Sequence, residues 1–304
     1  MAVVRASAPS HLAVPNGWTC IDTSGPWPFV SRAHFRRADG ALVEWTSRAQ
    51  RKRHSLLDRR RTSTWWAPDA IGWWIGVLFA IGSLCFAVGA APGYVDLVGV
   101  AADGITFFVG SIFFTTASAL QYLEVLNADP SLTSAGDARR RPRFFSFEPR
   151  RVDWWASSVQ LVGTVFFNVS TFSAMWTSLT AEQAERFVWK PNVYGCICFL
   201  VASGLAWGEV GHSFWSWRPR DLSWWIAGLN LAGSIAFGAS AVAAKVVPGS
   251  EQVRNVALMN LGTFLGGVAF FVGAALLLPE RTLDDPPAPH ATDVTGATAA
   301  IGTA

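Results

Sequence analysis

Long apolar stretches alternate with short polar, basic or proline-containing segments through most of this chain. A helix needs about 20 mostly apolar residues to cross the hydrocarbon core of a bilayer. Six stretches have that length, at approximately residues 73–91, 104–124, 154–176, 193–212, 224–244 and 256–278. The pattern predicts an all-α fold, a polytopic membrane bundle of six transmembrane helices.

Three of the six stretches begin with the same motif. They read WWIGVLFAIGSLCF (73–86), WWASSVQLVGTVFF (154–167) and WWIAGLNLAGSIAF (224–237). Each has a Trp pair, followed at fixed offsets by Gly, by Ser or Thr, and by Phe. Because a second apolar helix follows each motif, the sequence predicts three two-helix hairpin repeats, at about 65–130, 150–215 and 220–280.

Composition and charge agree with a membrane protein and give an orientation. Hydrophobic residues make up 51% of the 304 residues and charged residues only 15%. Of the 24 Lys and Arg residues, 20 lie in the segments 1–72, 125–153 and 213–223 or after residue 279. Since such residues stay on the cytoplasmic side, both termini are predicted to be cytoplasmic. The hairpins then enter and leave on one side, which makes them parallel repeats.

Tryptophan, glycine and hydroxyl residues of the motifs have expected roles in the bilayer. Trp side chains prefer the membrane–water interface, so the pairs are predicted interface anchors: Trp73, Trp74, Trp154, Trp155, Trp224 and Trp225. Small residues let helices approach closely, and the predicted packing positions are Gly82, Ser83, Gly163, Thr164, Gly233 and Ser234. Small-xxx-small spacings at Gly204 and Gly208 and at Gly262 and Gly266 predict further close contacts.

The segments outside the bundle are short. Residues 1–64 form a basic cytoplasmic segment, in which HFRRADGALVEW (34–45) predicts a small β-hairpin around Asp-Gly. SRAQRKRHSLLDRRR (47–61) predicts a basic anchor, and the bilayer is the expected partner. Attraction to anionic lipids would use Arg48, Arg51, Lys52, Arg53, Arg59, Arg60 and Arg61. Residues 281–304 predict a disordered cytoplasmic tail. Nucleic acid is not an expected partner, and a homo-oligomer stays an open alternative.

Several polar residues fall within the predicted membrane helices. Such groups usually face protein or water, so they are either interhelical hydrogen-bonding groups or the lining of a polar path between the hairpins. The candidates are Gln160, Asn168, Glu209, His212, Asn230 and Asn260. Glu209 and His212 lie three residues apart on one helix face, which predicts a coupled acid and base near the cytoplasmic end.

Motifs of known chemistry are missing from the sequence. A Walker A loop, a dinucleotide-binding glycine motif and HExxH do not occur. The four cysteines have no CxxC spacing and no neighbouring histidines that would predict a zinc site. We therefore expect no enzyme activity, no cofactor and no bound metal.

One family resemblance rests on the hairpins. The Trp and GSxxF pattern of the first motif helix, followed by FVGSIFFT (108–115) and Gln121, resembles the two-helix unit of YrhK-type bacterial membrane proteins. With WTSRAQRKRH before it, the layout is also similar to uncharacterised multi-pass proteins of actinobacteria. The resemblance implies a bacterial plasma membrane and no established activity. The favoured hypothesis is a non-enzymatic structural, lipid-interacting or protein-interacting membrane protein, and the alternative is a small-solute or ion transporter or channel.

Overall fold

The structure, a computed structural model, describes residues 7–53, 65–132, 142–176, 178–246 and 253–283. Within these ranges a small β-sheet precedes nine α-helical segments. Most of the predicted disordered tail, from residue 284 onward, lies outside the described residues.

The N-terminal region folds as a three-stranded antiparallel sheet. Its strands are β1 (Thr19–Ser24), β2 (Arg32–Arg36) and β3 (Leu42–Thr46), in the order β1-β2-β3. Strands β2 and β3 pair across the Asp39-Gly40 turn, at the place where the sequence predicts a hairpin. Gly40 has a φ of 89°, a conformation that costs glycine little. One face of the sheet buries Cys20, Ala33, Phe35 and Trp45.

In the described residues nine α-helices follow the sheet, of which six are long and three have at most seven residues. The helices are α1 (Ser47–Arg53), α2 (Ile71–Gly89), α3 (Tyr94–Val98), α4 (Val100–Leu126), α5 (Val152–Ala174), α6 (Ala181–Ala184), α7 (Lys190–Gly211), α8 (Leu222–Ala243) and α9 (Val256–Leu283). A π-helical turn, Glu185–Trp189, joins α6 to α7. The long ones, α2, α4, α5, α7, α8 and α9, pack in this order as a closed ring, in which α9 returns to α2.

Five of the described helices are long and apolar enough to cross a membrane. They are Ile71–Gly89, Val100–Leu126, Ala181–Gly211, Leu222–Ala243 and Val256–Glu280. The chain is therefore a mostly helical bundle with the spans of a multi-pass integral membrane protein. The helix α5 packs in the same ring, but it contains more polar residues than the other five.

Phenylalanine side chains fill the centre of the ring. Phe86, Phe167 and Phe237 form one triangle and Phe114, Phe199 and Phe270 a second, with ring centroids 5.1–6.3 Å apart within and between the triangles. All six residues are at most 7% exposed. The Phe237 and Phe270 rings are stacked and the other pairs are tilted or edge-on. Such aromatic pairs add to the energy of apolar burial, so these six residues, the aromatic plug, form the main core of the bundle.

Glycines make room for the plug at equivalent places in each hairpin. A Cβ atom on Gly82, Gly163 or Gly233 would lie 2.6–2.9 Å from the ring of Phe114, Phe199 or Phe270 on the following long helix. Within each hairpin, the Gly of the motif and the Phe of the next helix are therefore in direct contact. The hydroxyl residues after these glycines are fully buried, and Ser83 donates to the Phe79 carbonyl at 2.6 Å.

One predicted close contact does not form. A Cβ atom on Gly204 would have no neighbour within 4 Å, whereas one on Gly208 would lie 3.0 Å from Pro26 of the N-terminal region. The spacing of the two glycines predicts helix–helix packing, but Gly204 faces open space and Gly208 accommodates the N-terminal region. The spacing of small residues shows that they share a helix face, but it does not show which segment packs against that face.

Candidate functional site

The short helix α1 turns its basic face into one end of the helix ring. Arg48, Arg51 and Lys52 share a face because residues three and four apart are neighbours on a helix. Their side chains are only 15%, 7% and 13% exposed. This is the end where the Trp pairs lie, and we call it the tryptophan end.

Carboxylates from three long helices form ion pairs with these cations. Arg48 binds Glu280 of α9 through Nε at 2.8 Å and Nη2 at 3.0 Å, and Lys52 pairs with the same carboxylate. Ser223 at the start of α8 also donates to Glu280. The geometry of the Arg48 pair is bidentate, which is the strongest arrangement of an arginine and a carboxylate.

Arg51 connects two other helices of the ring. Its Nη1 lies 3.2 Å from both Asp153 of α5 and Glu209 of α7. Ser47 donates to Glu209 at 2.6 Å, and Arg151 donates to Asp153 at 2.7 Å. We call Arg48, Arg51, Lys52, Asp153, Glu209 and Glu280 the ion cluster.

Burial and charge oppose each other in the ion cluster. Burial alone lowers the pKa of the Arg51 guanidinium, but the nearby carboxylates of Glu209 and Asp153 raise the pKa above its usual range. The same balance, with Glu280 as the main opposing charge, raises the pKa of Arg48. Both arginines are thus charged at neutral pH. Pairs of this kind cost desolvation energy and are strongly destabilised when one member is removed.

Three glutamates occupy matching positions at the ends of α4, α7 and α9. Glu124, Glu209 and Glu280 each follow a plug phenylalanine by ten residues, after Phe114, Phe199 and Phe270. Glu209 is among the polar residues predicted from the sequence and Glu280 is not, although the equal spacing is visible in the sequence. The equivalence gives each hairpin one carboxylate facing the basic helix.

A cavity of about 90 Å³ lies below α1, between the ion cluster and the aromatic plug. Glu124, Gln121, Gln160, Asn230 and Ser203 supply polar groups to its wall. Gln160 donates to Gln121 at 3.5 Å, a weak contact. A polar cavity of this size can hold a few water molecules.

The polar residues predicted from the sequence lie in different places. Gln160 and Asn230 line the cavity, and Glu209 belongs to the ion cluster above it. Asn168 lies deeper in the bundle, where it donates to Thr115 at 2.9 Å. Asn260 is exposed on the outer surface of α9. The structure therefore brings together only part of the predicted polar path.

Glu209 and His212 have separate side-chain partners. His212 ends α7 in the left-handed conformation, with φ at 53°, and its Nδ1 lies 2.9 Å from the Ser31 hydroxyl. Burial, then the charges of Arg218 and Arg32, lower the pKa of His212 to about 4. His212 is consequently neutral at physiological pH and joins the β-sheet region to α7.

The Trp pairs each consist of one buried and one more exposed residue. Trp73, Trp154 and Trp224 are at most 9% exposed, and each indole N–H donates to a carbonyl eight residues earlier at 2.8–3.1 Å. The second indoles, of Trp74, Trp155 and Trp225, donate to a proline carbonyl six residues earlier at 2.9–3.1 Å. Within the pairs, the first tryptophan is thus part of the packed fold, whereas Trp74 and Trp225 are 40% and 47% exposed.

An aromatic residue also precedes each buried tryptophan. Trp66, Phe147 and Trp217 pack edge-on against Trp73, Trp154 and Trp224, each with ring centroids 5.2 Å apart. The sequence signal is an aromatic residue, any residue, Pro, four residues and Trp-Trp, and it begins seven residues before the repeated motif predicted above. Each loop into a hairpin is therefore held by the same clamp.

The basic residues predicted to attract anionic lipids are not all available for that role. Arg48, Arg51 and Lys52 point into the bundle and pair with carboxylates. The side chain of Arg53 and residues Arg59, Arg60 and Arg61 lie outside the described part of the chain.

Comparisons with protein-family models, with curated proteins and with solved structures give no match for this chain.

Proposed function

We propose that six helices cross the membrane, as three copies of one hairpin, with α5 as the sixth span. The polar residues of α5 face protein: Asn168 binds Thr115, and Ser170 donates to the Val188 carbonyl at 2.8 Å. Its outward face is apolar, with Val162, Val165 and Phe172 about half exposed. At 1.5 Å per residue, its 23 residues cover about 34 Å, enough for a bilayer core of about 30 Å.

The tryptophan end is proposed to face the cytoplasm. Support comes from the 20 Lys and Arg residues in the segments at this end, against four in the opposite loops. The resemblance to YrhK-type proteins is the basis for proposing the plasma membrane of a bacterium.

For the activity, we propose a non-enzymatic membrane protein that acts by interaction with lipid or protein. The observation that carries this proposal is closure of the bundle at two levels. Six phenylalanines fill its centre, and the basic helix α1 covers the tryptophan end through buried ion pairs. A bundle closed in this way suits a stable scaffold that presents its outer surfaces.

Thiol accessibility tests the closed bundle against a transport path. We expect Q160C and N230C to resist a membrane-impermeant thiol reagent added to either side of sealed vesicles. S213C at the tryptophan end and N255C at the other end serve as matched controls, since both side chains are exposed. Each control should react from one side only, with S213C reacting from the cytoplasmic side.

The unsubstituted protein gives the background from its four cysteines. Reaction of Q160C or N230C from the side that labels N255C would show a water path through the plug, and the transporter alternative would replace the scaffold. Reaction of S213C from the external side would reverse the proposed orientation.

A further inference from the structure

A groove of about 510 Å³ lies at the tryptophan end, outside the ion cluster. One wall comes from the N-terminal region, through Ser10, His11 and Gln50. The other walls are the segment after α4 and the loop before α5, residues 147–151. The parts are fastened together, because Gln50 donates to the Asp129 carbonyl at 2.5 Å and Ala13 donates to the Pro130 carbonyl at 3.0 Å. The groove is thus a built feature of the fold.

Three arginines line this groove, and two of them are already neutralised. Arg143 and Arg151 bind the two oxygens of Glu148 at 2.9 and 2.6 Å. Arg151 also pairs with Asp153 of the ion cluster. These contacts fix both guanidinium groups but leave little charge for a ligand.

Arg150 differs from its two neighbours. Within the described residues, its polar partner is the Ser10 hydroxyl at 3.0 Å, and no carboxylate pairs with it. The side chain is exposed at the mouth of the groove. An arginine held by a neutral partner keeps its charge and most of its five N–H donors for an anion.

The groove lies at the depth of the membrane interface under the proposed topology. Arg150 is two residues before the start of α5, and Trp155 follows in the first turns of that helix. Phe144, Phe145 and Phe147 are 62%, 90% and 73% exposed in the same loop. A charge beside exposed aromatic rings matches a ligand with an anionic head and an apolar tail, since aromatic side chains favour the interface.

We propose that this groove binds the phosphate of an anionic phospholipid headgroup, with Arg150 as the main phosphate ligand. The proposal rests on the membrane topology proposed above and names one partner of that protein. Arg143 and Arg151 line the site in fixed positions, and the exposed phenylalanines contact the acyl chains next to the headgroup.

Native mass spectrometry of the full chain in a neutral detergent can test the site. The probes are phosphatidylglycerol, which has a net negative charge, phosphatidylcholine, whose phosphate charge is balanced by its choline cation, and inorganic phosphate as a competitor. We expect phosphatidylglycerol to bind more tightly than phosphatidylcholine, and R150Q to weaken its binding about fivefold, the effect typical of one basic residue at an anionic surface.

Two variants separate the phosphate contact from other effects. R220Q is the matched control, because Arg220 also follows the proline of a hairpin loop and is exposed, but does not line the groove. It should leave binding unchanged. S10A removes the hydrogen bond to Arg150 without removing the charge, and it should retain binding.

Three results would overturn the lipid site. Equal losses from R150Q and R220Q would show general attraction rather than a site. Equal binding of the two lipids would show that the net negative charge of the headgroup does not determine binding. Full displacement by millimolar phosphate would indicate a soluble phosphate ligand. Extraction of the chain from membranes by alkaline carbonate is a separate measurement, and release there would contradict the membrane topology itself.

Discussion

At the scale of single residues, position in the fold gives the same residue type different roles. Glu124, Glu209 and Glu280 have the same spacing from a plug phenylalanine, but their surroundings differ. Glu280 pairs with Arg48 and Lys52 and accepts a hydrogen bond from Ser223. Glu209 pairs with Arg51 and accepts a hydrogen bond from Ser47. Glu124 instead borders the cavity. The single short helix α1 cannot contact all three hairpins in the same way. The three equivalent glutamates therefore have different partners.

Glu280→Gln should strongly destabilise the protein. The change leaves Arg48 and Lys52 buried without their carboxylate, and breaking a buried pair in this way costs about 3–5 kcal/mol. Thermal unfolding of the purified protein in detergent measures the effect as a lower midpoint temperature.

Glu185→Gln is the control for Glu280→Gln. Glu185 pairs with Lys190 at 3.2 Å, and both side chains are about half exposed. Exposed pairs contribute about 0–1 kcal/mol, so this midpoint should change little. Similar midpoints for the two variants would contradict a structural role for the ion cluster.

At the scale of elements, the same two local contacts recur in each hairpin. A proline-containing loop is clamped by a buried Trp, and a Gly and a Phe on facing helices fit into each other. The Trp pairs, glycines and first phenylalanines are evident from the sequence. The facing phenylalanines and the loop aromatics have weaker signals, because they lie in segments that otherwise differ among the three copies.

Gly195→Ala on α7 should destabilise the protein, whereas Gly204→Ala on the same helix should not. A Cβ atom on Gly195 would lie 2.7 Å from the Phe167 ring, whereas one on Gly204 would meet nothing within 4 Å. Overpacking costs about 1–3 kcal/mol, so the first variant should be less stable. The second should be neutral or more stable by up to about 1 kcal/mol, since alanine favours a helix.

Denaturant or thermal unfolding of both variants in the same detergent gives the comparison. Because the two glycines share one helix, the difference between the variants isolates packing from helix propensity. Equal stability would show that the Phe167 ring moves aside and that the fit at the plug is loose.

At the scale of the whole molecule, the N-terminal region is a tightly attached cover rather than a separate domain. Besides the ion cluster, it contacts the bundle through Ser31 with His212, Pro26 with Gly208, and Ala13 with the segment after α4. The basic segment 47–61 predicts a surface anchor from its charge, but its first residues form the bottom of this cover.

The N-terminal region should stay bound to the bundle after the chain is cut between them. A specific protease site inserted between residues 60 and 61 allows the cut. Buried ion pairs are screened by salt much less than exposed ones, so the N-terminal fragment should co-purify with the membrane fragment even at about 1 M salt.

A double variant supplies the comparison for this experiment. R48Q with R51Q removes two cations of the cluster and should release the fragment. R36Q with R37Q removes the same charge from exposed positions of the sheet region and should not. If salt alone releases the N-terminal fragment from the cut protein whose ion cluster is unchanged, the contacts between the two parts are superficial.

The helical membrane class, the positions of the long helices and the repeated Trp, Gly and Phe pattern can all be predicted from the sequence. These follow from local properties: the length of apolar stretches and the spacing of residues along one helix. Which side chains come into contact depends on the packing of the helices. Glu280, the cavity and the inward direction of Arg48 and Arg51 depend on residues far apart in the chain. A charged residue looks the same in sequence whether it faces lipid headgroups or a buried carboxylate, and only the packing of the ring around α1 distinguishes the two.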